Sequence, residues 1–549
     1  MKIKFLNNIK YFIINSLFLF CFISTAAQTQ YYFYVQFTDK LNSPYSLSHP
    51  EEFLSTRAID RRAAFNIICD STDLPVTPAY ISQIENLGIH VHNVSKWMNG
   101  ATVILSDSSK MNLVRAFTFV RFVEYTGKLI GAALSPQIRV NSNITTNYGV
   151  ADAQISQLNG KVLHTQGYRG KGIEIAVIDA GFNNVDLNPA FDSLRLQGRL
   201  LGVKDIINPN SNVFTEDAHG ANVLSIMTGN LPGQFLGTAP DASFWLIRTE
   251  YSPTEYKVET DFWCSGIEYA DSVGADLATS SLGYYTFDDS IMNFSYADMT
   301  GKVSHASRAA TLASKKGMVV LVAAGNEALS KWHYIGSPAD ADGIIAVGAV
   351  TSTGISSSFS SFGPSYDGRV KPEICAMGTG TSIVDTTGKT AIGSGTSYAT
   401  PAMAGLTACL LQKFEADFKI RNISFFLNSI FRTGNLFNAP TAQMGYGIPD
   451  FAKAEQNLQL FDSFHLAHQD HFNLIYNRIF HSLTLRLPDT LMSAHNNVSI
   501  YSVTGELVFQ KPITESPLSI RTDHFASGIY EVCVSINGKP ETRKIIIEN

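Results

Sequence analysis

The sequence predicts an α/β protein whose central domain is built on a doubly wound, mostly parallel sheet. Two apolar runs carry this prediction: residues 173–178 read Ile-Glu-Ile-Ala-Val-Ile, and residues 318–324 read Met-Val-Val-Leu-Val-Ala-Ala. Such runs are typical of strands that are buried on both faces of a parallel sheet. A small α+β region is predicted before this domain. An all-β sandwich is predicted after it, because residues 482–536 contain segments that alternate between apolar and polar.

A polar residue follows each of the two apolar runs. Asp179 comes directly after the first run, and Asn326 follows the second after Gly325. Open α/β sheets place their sites at the carboxyl ends of the strands, so both residues are candidates for a functional site. An Asx turn is the alternative for each, since Asp and Asn commonly begin turns after strands.

Two further candidates stand at predicted helix starts. His219 is followed by small and apolar residues at helical spacing, which places it near the first turn. Ser397 lies in Gly-Thr-Ser-Tyr-Ala-Thr-Pro at 395–401, where Pro401 is predicted to sit in the first helical turn. A serine oxygen there meets the positive end of the helix dipole. The alternatives are that Ser397 only caps the helix and that His219 has no catalytic role.

In the order Asp179, His219, Asn326 and Ser397, these four segments resemble the motifs of the subtilisin-like serine proteases, the subtilases. The family motifs are Val-Ile-Asp, His-Gly-x-x-Val, Ala-Ala-Gly-Asn and Gly-Thr-Ser-x-Ala-x-Pro. The order Asp, His, Ser is that of subtilisin, and it differs from that of chymotrypsin and the α/β-hydrolases. The resemblance covers about residues 150–455.

The resemblance implies a role for each candidate. Ser397 would be the nucleophile, with His219 as its general base and Asp179 orienting the imidazole. The amide of Asn326 and the main-chain N–H of Ser397 would stabilise the oxyanion. An extended peptide would pair with the backbone of one segment and fill a pocket beside another. The substrate-binding residues so implied are Ser281, Leu282, Gly283, Ala323, Ala324 and Gly325.

Some neighbours of these residues depart from the family pattern. Ala221 and Asn222 stand where Thr-His is frequent, and Ala180 stands where Thr or Ser is. Tyr398 replaces a frequent Met, and Ala402 a frequent His. None of these differences removes a catalytic group. They concern the surroundings of the site and the subgroup, not the reaction.

Two other functions are compatible with the same sequence. A catalytically inactive surface-binding protein could keep the fold, although such a scaffold would not need all four positions filled. An esterase is the other possible function, but residues 395–399 lack the last glycine of the esterase motif Gly-x-Ser-x-Gly. No cofactor is required for acyl transfer. A structural calcium ion is compatible with the family, although no dense acidic loop marks a site for it.

Charge and cysteine content exclude some other classes. The net charge of −6 over 549 residues and the lack of a basic run give no support to nucleic-acid binding. The six cysteines are scattered, with no metal-ligand spacing, so buried free thiols are expected. Cys375 and Cys409 form the one pair worth testing for a disulfide.

The first 27 residues read as a signal peptide, with lysines at the start, an apolar core over 11–23 and small residues before Gln28. A retained anchor is the alternative, although this core is shorter than a span of ~20 residues. Residues 28–130 are predicted as strand (31–37), helix (53–62) and strand (95–99).

The place of this α+β region, before the subtilase-like region, resembles a propeptide that assists folding and blocks the cleft. A permanently attached accessory domain is the alternative. Residues 131–150 are predicted as a linker in which self-cleavage would occur, and residues 151–460 as the peptidase domain. The partners implied are protein or peptide substrates and the propeptide itself, acting as an intramolecular inhibitor.

Residues 465–549 are predicted as the sandwich, with turns at 504–505 and 537–538. Together with Gly-Ile-Tyr at 528–530, this region resembles the C-terminal sorting domain of type IX secretion in Bacteroidetes. The resemblance implies secretion or surface display, through the periplasm of a diderm bacterium, with the secretion machinery as a partner. A sandwich that binds carbohydrate or substrate is the alternative. The family's Asn-Pro is replaced at 476–478, and the chain ends in Glu-Asn instead of Lys.

Overall fold

A computed structural model of the protein describes residues 29–129, 148–417, 421–467, 472–477, 481–488, 491–493 and 495–547. The predicted signal peptide and most of the predicted linker lie outside these residues. In the part of the chain that is described, no helix is both long enough and apolar enough to cross a membrane.

The N-terminal region is an α+β unit with one antiparallel sheet in the order β2-β3-β1-β4. Its apolar face packs on the helices around a small core that includes Val35, Ile84 and Val103. Its elements are β1 (Gln30–Phe37), α1 (Thr56–Ala64), α2 (Pro78–Glu85), β2 (His90–Ser95), β3 (Gly100–Leu105), α3 (Met111–Arg115) and β4 (Val120–Leu129).

The strand predicted at 95–99 is wrong. Residues 96–99 form the turn between β2 and β3, because Asn99 adopts a left-handed conformation with φ of 49°. Asparagine tolerates that conformation better than most residues, and it is typical of tight turns.

The central region contains a seven-stranded sheet in the order β13-β12-β11-β10-β5-β9-β6, and every pair in it is parallel. Its strands are β5 (Glu174–Asp179), β6 (Leu200–Asp205), β9 (Ser243–Arg248), β10 (Leu277–Ser280), β11 (Val319–Ala323), β12 (Ile345–Val350) and β13 (Ile374–Met377). Two short hairpins accompany it: β7 (Asn230–Leu231) with β8 (Phe235–Leu236), and β14 (Thr381–Val384) with β15 (Thr390–Gly393).

Helices cover both faces of this sheet, which explains why its strands are apolar throughout. They are α4 (Asp152–Ser156), α5 (Lys161–Thr165), α6 (Asp192–Leu196), α7 (His219–Thr228), α8 (Val258–Val273), α9 (His305–Lys315), α10 (Thr396–Asp417), α11 (Ile423–Phe431) and α12 (Phe451–Ala467). The chain reverses direction across the sheet between β5 and β10, which are neighbours. The doubly wound α/β prediction is therefore confirmed.

Pro401 lies inside α10, in its second turn, and not in the first turn as predicted. Proline has no N–H, so the carbonyl of Ser397 four residues earlier loses its helical donor. The hydroxyl of Ser281 donates to that carbonyl instead, at 2.9 Å. Pro401 thus leaves the carbonyl of Ser397 without a helical donor, and Ser281, directly after β10, donates to it.

The C-terminal region is an all-β sandwich of two antiparallel sheets, ordered β16-β17-β20 and β19-β18-β21-β22. Their inner faces enclose a core that includes Leu485, Ile500, Leu518 and Val532. The strands are β16 (Asn473–Asn477), β17 (Ser482–Arg486), β18 (Asn497–Ser502), β19 (Leu507–Pro512), β20 (Leu518–Arg521), β21 (Gly528–Ile536) and β22 (Lys539–Ile547).

The cysteines of the described residues are free thiols, including Cys264, Cys375 and Cys409, which are buried. The disulfide considered for Cys375 and Cys409 is therefore absent from this part of the chain. Burial raises the pKa of the Cys375 thiol to about 12, so this thiol stays protonated and apolar in character.

The N-terminal unit packs on α8 through apolar contacts, such as Tyr32 with Phe262, and through buried polar groups. The Glu268 carboxylate accepts from the Ser95 hydroxyl at 2.5 Å and from the main-chain N–H of Lys96 at 2.8 Å. Deeper in the interface, Asp271 accepts from Arg61 and from Arg62, the latter at 2.8 Å. Although burial opposes ionisation, Lys96 and the two arginines hold the pKa of Asp271 well below its usual range.

Candidate active site

Asp179 and His219 form the centre of the site. Asp179 is the last residue of β5 and is fully buried, while His219 is the first residue of α7. Asp179 Oδ1 lies 2.8 Å from His219 Nδ1. The same oxygen accepts from the N–H of Ala180 at 2.8 Å, which fixes the carboxylate plane. A carboxylate on Nδ1 leaves Nε2 as the nitrogen that can take a proton from a nucleophile.

A glycine allows this close approach of strand and helix. A Cβ on Gly220 would lie 2.4 Å from the carbonyl oxygen of Gly181 and 2.9 Å from Cβ of Asp179. Any side chain at position 220 would therefore push α7 away from the end of β5. The glycine after His219 in the sequence motif therefore has a steric reason: a side chain there would increase the distance between the imidazole and the carboxylate.

The electrostatics of the pair favour a charged imidazole. Burial disfavours the imidazolium, but the Asp179 carboxylate and its hydrogen bond outweigh this and raise the pKa of His219 to about 9. Asp217 and Glu250 act in the same direction. A carboxylate that stabilises the imidazolium helps a histidine that gains a proton during the reaction.

Ser397 is the second residue of α10, and it is half-buried. Its hydroxyl lies 3.3 Å from the main-chain oxygen of Ser281, to which it donates. Among the described residues this is the hydrogen bond that the hydroxyl makes, so it does not donate to His219 in this structure. In ligand-free sites catalytic hydrogen bonds are often incomplete and tighten only with substrate.

Asn326 faces the start of α10 from the loop after β11. Its Oδ1 accepts from Thr396 twice, from the main-chain N–H at 2.9 Å and from the hydroxyl at 3.1 Å. This arrangement fixes which end of the amide is the oxygen. The exposed NH₂ of Asn326 is then the donor that remains for a ligand.

A cavity of about 110 Å³ joins Asn326 and Ser397 to the segments predicted to bind substrate. Gly325, with φ of 105°, forms part of its wall, and a Cβ there would lie 2.8 Å from the hydroxyl of Ser361. The lining residues are Ser281, Leu282, Gly283, Tyr285, Ala323, Ala324, Gly325, Asn326, Glu327, Gly336, Thr396 and Ser397. All six residues predicted to bind substrate are among them. Residues 281–283 are not a strand in the structure but follow directly after β10.

Four lining residues were not predicted from the sequence: Tyr285, Glu327, Gly336 and Thr396. Thr396 and Glu327 are direct neighbours of predicted residues, so adjacency was an available signal. Gly336 and Tyr285 reach the cavity because Tyr284 and Ser337 pair through two main-chain hydrogen bonds of 2.7 and 3.0 Å. No local sequence pattern predicts the pairing of Tyr284 with Ser337.

Tyr398, one of the departures from the family pattern, lies beside the base. Its ring centroid is 6.1 Å from that of His219, at an angle of 43°. Burial raises the pKa of the Tyr398 phenol, and a hydrogen bond with the side chain of Asn222 on α7 opposes that rise. Two residues that differ from the common pattern thus meet each other across the site.

An α/β sheet with this topology, and an Asp-His-Ser set in this chain order at its carboxyl edge, define the class of serine hydrolases built like subtilisin. The family model described as "Subtilase family" matches residues 170–447. The chain belongs to this family. The resemblance seen in the sequence is confirmed.

Two further family models match the flanking regions. "Peptidase S8 propeptide domain, Bacteroidota" matches residues 32–142, and "Secretion system C-terminal sorting domain" matches residues 480–548. Both agree with the resemblances noted for the two ends of the sequence, and the three-part fold class is confirmed.

Curated relatives share about a third of the aligned residues. Subtilisin NAT of Bacillus subtilis subsp. natto is 31% identical over 263 residues, which is 47% of this chain and 60% of that protein. Subtilisin of Bacillus pumilus is 30% identical over the same share of this chain and 84% of its own length. Among solved structures, the prenylagaramide maturation protease PagA is 22% identical, with a TM-score of 0.44, over 55% of this chain and 98% of its own.

Proposed function

We propose that the protein is a secreted serine endopeptidase that hydrolyses peptide bonds through an acyl-enzyme on Ser397. The observation that carries the proposal is the 2.8 Å contact between buried Asp179 and His219 Nδ1, within a site that also contains Ser397. His219 takes the proton of the Ser397 hydroxyl as the oxygen attacks the carbonyl carbon. It then gives that proton to the leaving amine, and water repeats the sequence to release the acid.

The oxyanion is stabilised by the NH₂ of Asn326 and by the main-chain N–H of Ser397. The two hydrogen bonds from Thr396 support this role, because they hold the amide with its donor end free. A preorganised donor of this kind needs no rearrangement as charge develops on the substrate oxygen.

The substrate is a protein or peptide that binds in extended form along residues 281–283. Main-chain groups of an extended segment beside a cleft can pair with a second chain as an added strand. The cavity is lined by the two alanines and the glycine at 323–325, and also by Tyr285 and Glu327. One side chain of the substrate would enter there, next to the bond that is cut.

The N-terminal unit acts as a propeptide and intramolecular inhibitor, and the sandwich directs export to the cell surface or the medium. The family matches at 32–142 and 480–548 support these assignments. In addition, β4 passes the loop before α8, where a Cβ on Gly127 would lie 2.6 Å from Tyr256. The end of β4 therefore lies against the catalytic domain.

Intact-mass analysis of the refolded chain from Gln28 onward tests the proposal. The wild type should lose about 100–120 N-terminal residues, the length expected for a propeptide of one small domain, and should react with a fluorophosphonate. Ser397→Ala should do neither, and Ser394→Ala, an exposed serine three residues away, should do both. If the wild type is neither cut nor labelled, the inactive surface-binding function replaces the peptidase.

A further inference from the structure

Three glutamates converge beside the cleft. Glu250 follows β9, Glu255 lies in the next loop, and Glu259 is in the first turn of α8. Each offers a carboxylate oxygen, and these oxygens all lie within 4.8 Å of one another. None of the three belongs to the set Asp179, His219, Asn326 and Ser397, so the catalytic chemistry does not account for their meeting.

The most deeply placed carboxylate lacks the partners that burial demands. Glu259 is 0% exposed, and its Oε2 has no hydrogen-bond partner among the described residues. Its Oε1 receives a long contact of 3.4 Å from the N–H of Tyr256, and its carboxyl group also contacts that of Glu250. A buried carboxylate oxygen without a donor costs several kcal/mol unless a cation or a proton compensates it.

The neighbouring basic side chains are engaged elsewhere. Lys257 pairs with Glu124 of the N-terminal unit. Arg248 pairs with Asp205 at 2.9 Å and with Glu216 at 3.1 Å. The described ion pairs therefore leave the three carboxylates without a cationic partner.

We propose that Glu250, Glu255 and Glu259 bind one Ca²⁺ ion next to the active-site cleft. Carboxylate oxygens are the ligands that hard divalent cations prefer. The ligand oxygens all lie within 4.8 Å of one another, close enough to share one ion. Ca²⁺ accepts irregular arrangements of oxygen at about 2.3–2.6 Å, whereas Mg²⁺ demands a near-ideal octahedron at about 2.0–2.1 Å.

The ion would brace the wall of the substrate cavity. The hydroxyl of Tyr284 donates to Glu250 Oε2 at 3.0 Å, and Tyr284 is almost fully buried. Tyr284 directly follows the cavity-lining residues 281–283, and its main chain pairs with Ser337. An ion that fixes Glu250 therefore fixes the side chain at the end of this segment.

The test uses the full chain with Ser397→Ala, so that neither processing nor activity affects the readout. After treatment with a chelator, calorimetric titration with CaCl₂ should show one saturable site. Excess Ca²⁺ should raise the Tm by several degrees, since a ligand that binds only the folded state stabilises it. Adding Glu259→Gln should weaken Ca²⁺ binding by about tenfold or more and remove the Tm rise, because Gln keeps the shape but loses the charge.

Asp288→Asn is the matched control. Asp288 is exposed and accepts from the N–H of Glu255 at 3.3 Å, an acceptor that Asn retains. It removes one nearby negative charge without removing a ligand, so Ca²⁺ affinity should change by less than about threefold. If Asp288→Asn and Glu259→Gln lose the same Ca²⁺ affinity, the ion is attracted by the general negative charge of this surface, and the proposal is overturned.

Other results would also overturn the ion site. Titrations that are identical with and without Glu259→Gln place any Ca²⁺ elsewhere. If Glu259→Gln does not fold, Glu255→Gln at a half-buried position replaces it, with the same tenfold loss required. Failure of Ca²⁺ to bind the parent chain means that the carboxylates share protons. Binding of a lysine- or arginine-containing peptide without Ca²⁺ would assign the cluster to substrate recognition instead.

Discussion

Replacing Asp179 by Asn tests the electrostatic core of the proposed mechanism. The pKa of His219 is raised from 6.5 to about 9, which corresponds to about 3 kcal/mol of stabilisation of the imidazolium. In Asp179→Asn the carboxylate is gone while burial remains, so the pKa of His219 should fall, although Asp217 and Glu250 still raise it. Asn can also hold the wrong tautomer, and loss of this aspartate from a serine protease triad lowers kcat by about 10⁴.

The assay is the rate of fluorophosphonate labelling and of peptide hydrolysis from about pH 5 to about pH 10. The wild-type rate should rise as pH increases through about 9, because only the neutral imidazole accepts a proton. The residual rate of Asp179→Asn should reach its plateau at a lower pH than the wild-type rate does. Equal midpoints in the two proteins would refute the coupling between Asp179 and His219.

The raised pKa of His219 also predicts how the free energy of unfolding depends on pH. A histidine whose pKa is raised by folding contributes stability that is complete below about pH 6.5, its unfolded value, and is lost as pH rises through about 9. Measured in the Ser397→Ala background, Asp179→Asn should therefore lower the free energy of unfolding more at pH 6 than at pH 10. A loss that does not depend on pH would mean that Asp179 acts through packing alone.

Three further changes address other parts of the site and the domain interface. Asn326→Ala should lower kcat by about 10²–10³ with little change in KM, the effect known for oxyanion-hole donors. Thr396→Val removes one of the two hydrogen bonds to Asn326 and should lower kcat by a smaller factor. Tyr398→Phe removes the phenol that bonds to α7, and kcat should fall about two- to tenfold while fluorescence-detected Tm changes little; an unchanged kcat would deny Tyr398 a positioning role. Arg62→Ala leaves Asp271 and its neighbours partly unpaired at the buried interface and should cost about 3–5 kcal/mol in binding between the separately produced N-terminal and catalytic parts.

Much of the fold was predictable because its signals are local. The runs before Asp179 and Asn326 are buried strands, as their apolar character predicts. Their carboxyl ends meet because parallel strands share one edge of the sheet, so the convergence of the polar residues follows from topology. The position of His219 at a helix start also follows from spacing. The turn at 96–99 was missed because its Trp and Met look like strand residues, whereas the left-handed Asn99 decides the backbone.

The contacts that tune the site could not be read from the sequence, because they join segments far apart in the chain. The two bonds from Thr396 to Asn326 span 70 residues. The three glutamates look like ordinary residues of a loop and a helix, with no dense acidic run. Only the fold brings their oxygens together and buries Glu259. Distances of this kind depend on tertiary packing, for which one sequence contains no pattern.

The interface between the N-terminal unit and the catalytic domain combines apolar and charged contacts. Tyr32 of the unit lies in one buried core with Phe262 of α8. Beside this core the catalytic side offers Glu268, Asp271 and Lys316, which pair with groups of the N-terminal unit. While the unit is attached, removing any one of these charges leaves another without its partner in a buried place. The charged groups therefore specify the docked geometry and the apolar contacts add buried area, so the proposed self-cleavage has to be followed by exposure of both to water.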